Sequence, residues 1–195
     1  MRYSNFPTTV YAFHGCDESV AEAVFAGEQE LKSSINDYDW LGSGIYFWEN
    51  APERAMRWAM DQQMRNPSII KKPAVVGAVV HLGSCLNLMD KSSNQPIRDA
   101  YKALSHAINN AKMRQLRVSL PENKGKLHRL DALVINAACL LASKKKHPYD
   151  TVRAAFVEGE PVFKGSAIQS DTHIQLCVRN PESIIAYFRP RQILV

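Results

Sequence analysis

A chain of 195 residues with 46% hydrophobic side chains is long enough to bury a core, and its simplest reading is one domain over residues 1–195. No apolar run approaches a membrane span. The opening M-R-Y-S-N-F-P-T-T lacks the apolar centre of a secretion signal, so the expectation is a cytoplasmic protein with no membrane partner. The net charge of +5 is uneven: from Arg98 to His147 eleven Lys or Arg face three acids (Asp99, Glu122, Asp131), leaving 13 basic and 16 acidic residues elsewhere.

In chain order, Thr9 to His14 predicts a strand whose Val-Tyr-Ala-Phe alternates. Glu18 to Gly27 predicts a helix, with Val20, Ala23 and Val24 at helical spacing and Gly27 as its stop. Ile45 to Trp48 is a second strand, and a helix from Pro52 to about Arg65 follows it. Ala74 to Leu82, A-V-V-G-A-V-V-H-L, is Val-rich enough for a buried strand. Ile97 to Arg117 and Arg129 to Lys145 predict two helices, separated by the breakers Pro121, Asn123 and Gly125. Arg153 to Phe163, His173 to Val178 and Ile184 to Phe188 are the closing strands. The order gives an α+β fold carrying a helical, basic insert over about 97–146, without the regular βα alternation of a doubly wound sheet. Cys16, Cys85, Cys139 and Cys177 are far apart and form no C-x-x-C pair, which predicts packed, reduced thiols and no metal site.

The basic insert has two readings. It is an electrostatic footprint for nucleic acid, or a solvated helical face on which Lys144-Lys145-Lys146 complements a helix C-terminus. Apart from Tyr101, no Phe, Trp or Tyr interleaves with its cations to offer base stacking.

Chemistry concentrates in two words. G-S-G-I-Y-F at 42–47 sets Tyr46 beside two glycines, Gly42 and Gly44, that leave backbone open to a ligand. F-H-G-C at 13–16 puts His14 near a strand end, where an imidazole bonds a sugar hydroxyl and the Gly15 backbone pairs with an amide. The Gly42-x-Gly44 pair is no dinucleotide fingerprint, because Phe47 stands where the third glycine belongs. Taken singly, His14 and Tyr46 read as structural residues; together they point to a pocket for a flat aromatic group.

These two words resemble the first two motifs of the diphtheria-toxin-like ADP-ribosyltransferases, the His-Tyr-Glu class that includes poly(ADP-ribose) polymerases and many bacterial toxins. The helix with Ala55 and Trp58-Ala59 is similar to that family's, and T-H-I-Q-L-C-V-R-N-P-E-S-I-I-A-Y-F at 172–188 is similar to its closing strand pair. The insert has no counterpart there. The resemblance implies a split β-sandwich with an NAD cleft between two small sheets. It implies that His14 holds the adenosine-side ribose, that the Gly15 backbone holds the nicotinamide carboxamide, and that Tyr46 stacks on the nicotinamide beside Gly44. Trp58, one residue out of register, is a second stacking face. It further implies a bacterial, toxin-like enzyme with NAD as co-substrate, a macromolecular acceptor and a neutralising antitoxin-type protein.

The third motif departs from the family. Gln175 falls where the catalytic glutamate belongs. Breaking the nicotinamide–ribose bond develops positive charge on the ribose, and a neutral amide orients a hydroxyl but loses most of the Coulomb stabilisation, about 2.7–4 kcal/mol in comparable contacts. Either the enzyme is slower or another acid supplies the charge; among the acids Glu160 is the first choice, ahead of Glu158 and Asp171. Arg153, in the apolar run T-V-R-A-A-F, either pairs with an acid or reaches a diphosphate. Lys164 to Ser170 stands where the family's acceptor loop lies. The expectation is an NAD-dependent ADP-ribosyltransferase acting on RNA or DNA. The alternatives are a protein-directed transferase, an NAD- or ADP-ribose-binding module without transfer, and an RNA-processing protein that consumes NAD in removing a phosphate.

Overall fold

The computed structural model describes residues 8–37, 39–125 and 127–191. Lys126, one of the cations counted in the basic insert, lies outside the described residues.

Seven strands form one hydrogen-bonded sheet. They are β1 (Thr9–Asp17), β2 (Ile45–Glu49), β3 (Pro73–His81), β4 (Cys85–Asn87), β5 (Thr151–Phe156), β6 (His173–Val178) and β7 (Ile184–Phe188). Their order is β4-β5-β6-β2-β1-β3-β7, antiparallel throughout except for the parallel β4–β5 pair. Four α-helices complete the fold: α1 (Glu18–Phe25), α2 (Pro52–Arg65), α3 (Asn94–Met113) and α4 (Arg129–Lys144). The mixed α/β composition agrees with the α+β class expected from the sequence.

The middle of the sheet is its weakest seam. β1 and β3 pair along nine positions, but β1 and β2 pair only at Ala12↔Glu49 and Phe13↔Trp48. Two half-sheets, β4-β5-β6-β2 and β1-β3-β7, therefore meet at a short junction. One core cluster spans both halves, joining Val10, Ala12, Val76 and Val80 to Ile45, Phe47, Leu176 and Val178, with Ala21 and Val24 of α1 over them. Burying a residue such as Phe47 or Val76 completely contributes about 1.5–3 kcal/mol.

The other faces are covered by α2 and by the insert. α2 starts on Pro52, whose missing N–H costs nothing at the first helical position, and presses Ala55 and Ala59 inward. The closeness of that contact explains Gly15: a Cβ there would overlap the Ala55 carbonyl oxygen. α4 buries Val134, Ile135, Ala138 and Cys139 against Leu86, Val152, Ala154 and Cys177. The helices of the insert are thus part of the core, with α3 contributing Ala100.

Three sequence expectations shift. β1 runs three residues beyond His14, because its pairing with β3 continues to Asp17↔Pro73. β5 ends at Phe156 instead of Phe163, as Gly159 (φ 89°) and Pro161 interrupt the strand. The chain beyond continues as an irregular hairpin, tied by Asp171 N–H to the Glu158 carbonyl and Val162 N–H to the Ile168 carbonyl, both at 3.0 Å. β4 was not foreseen; three residues carry no periodicity, and their parallel partner lies far along the chain. The four cysteines are free thiols, as expected, and Cys85 alone is not fully buried.

Candidate functional site

His14 and Tyr46 come together at the seam. Beyond Phe13 and Trp48 the two strands are no longer paired, and His14 reaches across to the Tyr46 carbonyl, with Nδ1 at 2.7 Å. A carbonyl only accepts, so Nδ1 carries the proton and Nε2 is left as an acceptor, with no partner among the described residues. Burial lowers the His14 pKa, against the raising effect of that bond, and favours this neutral tautomer.

Tyr46 is less free than its sequence context implied. Its hydroxyl donates to the Gly42 carbonyl at 2.6 Å and accepts from the Leu41 N–H at 2.8 Å, closing the turn that precedes β2. Burial raises its pKa far above the ordinary phenol value. The two glycines also have packing reasons. A Cβ on Gly42 (φ 77°) would meet Asn136 Oδ1 at 2.5 Å, and one on Gly44 would meet Cys177 Sγ at 2.5 Å. Asn136 of α4 accepts from the Ser43 N–H and from Arg179, both at 3.0 Å, so the insert clamps the Gly42–Gly44 turn.

Gln175 lies on β6 opposite Trp48 of β2, two positions from the Tyr46↔Cys177 pair. Strand alternation puts Tyr46, Trp48, Gln175 and His173 on one face of this half-sheet. His14 shares the other face with Phe47, whose ring it meets edge-on at 5.8 Å. The orientation of the Gln175 amide follows from its neighbour. His173 Nδ1 donates to the Asp171 carbonyl at 2.7 Å, so its Nε2 is an acceptor and takes the Gln175 Nε2–H at 3.3 Å. The Gln175 carbonyl oxygen is thereby left without a partner among the described residues. Burial lowers the His173 pKa, consistent with that neutral ring.

α2 supplies the facing wall. Arg54 bonds Glu158 at 3.0 Å and lies over the Trp48 ring, 5.8 Å from its centroid; Arg57 bonds Asp171 at 2.6 Å. Trp58 packs half-buried on Trp48, with ring centroids 5.8 Å apart. Two buried donors in this cluster, Trp48 Nε1 and Arg54 Nε, have no hydrogen-bond partner among the described residues. The sequence had weighed neither residue, and α2's spacing of Arg54 and Trp58, one turn apart on one face, was the signal available.

Two expected residues stand apart. Glu160 is exposed in the β5–β6 hairpin, and its carboxylate has no ion-pair partner among the described residues; Glu158, ranked below it from sequence, is the acid that faces His173, at 3.9 Å. Arg153 is buried and held by both carboxylate oxygens of Glu49, at 2.5 and 2.6 Å. Of its two expected roles the geometry carries the acid pair, and a bidentate bond uses the donors a diphosphate would need.

Comparison of the chain with protein-family models, curated proteins and solved structures finds no match. The site is therefore read from its own geometry. Two acceptors are thus left without partners among the described residues, His14 Nε2 on one face of the sheet and the Gln175 carbonyl oxygen on the other, the latter on the face of the Trp48–Trp58 wall and the Arg54–Glu158 pair.

Proposed function

We propose that this chain is an NAD-dependent ADP-ribosyltransferase with a macromolecular acceptor, the two half-sheets of its single sheet serving as the two leaves of a split β-sandwich. The observation that carries the reading is the meeting of F-H-G and G-S-G-I-Y-F at a sheet junction only two residue pairs long, linked by the His14–Tyr46 bond. An acceptor nucleophile attacks the ribose carbon of the nicotinamide–ribose bond. That bond breaks, its electron pair leaves with nicotinamide, and the nucleophile's proton passes to solvent. His14 Nε2 accepts from a ribose hydroxyl, the Gly15 backbone meets the carboxamide, and the Tyr46 and Trp58 rings flank the nicotinamide. The Gln175 carbonyl oxygen accepts from the second ribose. Glu158, rather than Glu160, supplies the negative charge that Gln175 lacks.

The test is incubation of the protein with labelled NAD and cell extract, followed by nuclease or protease digestion. Nicotinamide release with label in a macromolecular fraction supports the reading, and protease-sensitive label makes the enzyme protein-directed. Absence of release and of label overturns it. A second reading, an NAD- or ADP-ribose-binding module without transfer, is favoured by the amide at position 175 and by the neutralisation of Glu158 by Arg54. Calorimetric binding of ADP-ribose without nicotinamide release would select it.

A further inference from the structure

Charge is segregated in this protein. Outside the insert five of the twelve described Lys and Arg (Arg54, Arg57, Lys72, Arg153 and Arg189) end in carboxylates. Between residues 98 and 147 the described Lys and Arg are all exposed, and Arg129 alone among them has an acid partner, Asp37. The segment's own acids do not neutralise them: Asp99 accepts from Gln95, Asp131 holds His128, and Glu122 pairs with no cation among the described residues. A helix-dipole role covers cations in the last turn only. It fits Lys112 and Lys144, but Arg117 and Lys124 lie beyond the end of α3.

The tertiary structure also adds rings to a segment in which Tyr101 is the one Phe, Trp or Tyr. Trp40 and Phe156, which flank the insert from distant parts of the chain, come against it in a file of rings. Trp40 stands 4.5 Å from His128 at the start of α4 and 4.5 Å from Phe156, which stacks on His173 at 5.9 Å. Trp40, His128 and Phe156 are only partly buried. The file runs from His128, at the N-terminal end of α4 in the basic insert, to His173, the residue that orients Gln175. Basic surface feeding half-exposed rings is the arrangement that binds single strands, in which unstacked bases offer their faces.

We propose that the α3–α4 insert is a docking face for single-stranded nucleic acid, with phosphates on its unpaired cations and a base on the Trp40–Phe156 shelf. That the strand is the acceptor of ADP-ribose rests on the function proposed above; its binding does not.

The experiment uses the full chain and fluorescein-labelled single-stranded RNA and DNA oligonucleotides, read by anisotropy over a salt series. The expected result is binding at low salt that weakens with a log–log slope of about −0.7 per phosphate contacted. Oligonucleotide should bind more tightly than a duplex of equal length or poly-glutamate. Trp40→Leu should weaken single-strand binding by about five- to a hundredfold. The exposed triple variant Lys144→Glu, Lys145→Glu, Lys146→Glu should weaken it and flatten the salt slope, keeping the test open should Trp40→Leu fail to fold. Nicotinamide release from NAD alone is measured on the same triple variant and should match the parent. Absence of oligonucleotide binding at low salt overturns the proposal. So does equal or tighter binding of poly-glutamate, which would assign the face to an acidic protein, and so does equal binding of duplex. Loss of the docking face with nicotinamide release intact leaves the transferase reading standing. Binding without any nicotinamide release would sink that reading alone.

Discussion

At the scale of single residues, Tyr46 has two separable parts. Its hydroxyl closes the turn onto Leu41 and Gly42, while its ring packs beside Cys177 and the α4 cluster. Tyr46→Phe should lower stability by about 1–3 kcal/mol, because the Leu41 N–H loses its acceptor, yet keep nicotinamide release. Tyr46→Ala should abolish release and also lower the denaturation midpoint further, since a core ring is removed. Equal release from the folded Ala variant would exclude the ring from the site. The carboxylate question is settled by four variants assayed for nicotinamide release. Gln175→Ala should lose most activity, and Gln175→Glu should retain it or gain hydrolysis of NAD to ADP-ribose. Glu158→Gln should fall by about a hundredfold or more, and Glu160→Gln should match the parent. The reverse order for the two glutamates would move the charge to the hairpin. Parental release from Gln175→Ala would show that the third motif is misaligned.

Among the elements, α2 is the one whose position the site depends on most. It carries Arg54, Arg57 and Trp58, and its distance from β1 is set by Gly15, over which the Ala55 carbonyl closes. Backbone cannot yield as a side-chain tip does. Gly15→Ala should therefore push α2 outward, destabilise the fold by about 1–3 kcal/mol, and separate Trp58 from Trp48. Thermal unfolding together with tryptophan emission checks both effects. An unshifted melting temperature with parental emission would mean that α2 sits more loosely than its packing indicates. α4 has the complementary role: Asn136 accepts from the Ser43 N–H, so a helix far along the chain fixes the Gly42–Gly44 turn.

For the whole molecule, two neutral histidines at the site link stability to pH. Burial lowers the pKa of both His14 and His173 below the ordinary 6.5. The unfolded chain then binds more protons than the folded one as pH falls below about 6.5, so acidification in that range favours unfolding. Stability should rise with pH up to about 6.5 and level off above it with respect to these groups. Asp17, whose pKa is lowered chiefly by its bond from Ser19, acts only at more acidic pH. Urea midpoints measured between pH 5 and 7.5 should show the slope, and His14→Asn with His173→Asn should flatten it. A flat parental profile would mean that both rings protonate as freely folded as unfolded.

What the sequence by itself determined were the features written in neighbouring residues. The 3.6 and 2.0 periods located most helices and strands: α2, β6 and β7 occupy their expected ranges, and Pro52 and Gly27 marked a start and a stop. The words F-H-G-C and G-S-G-I-Y-F singled out His14 and Tyr46, which the fold brings together. The tertiary structure alone decided what depends on residues far apart in the chain. Pairing across more than a hundred positions assigned Arg153 to Glu49, where periodicity left acid and diphosphate equally open. Hairpin geometry turned Glu158 toward His173 and left Glu160 in solvent, though the two are neighbours in sequence with the same chemistry. The parallel β4–β5 pair, the short seam between the half-sheets and the file Trp40–Phe156–His173 left no local trace, because each is made by strand register and packing and not by any run of residues.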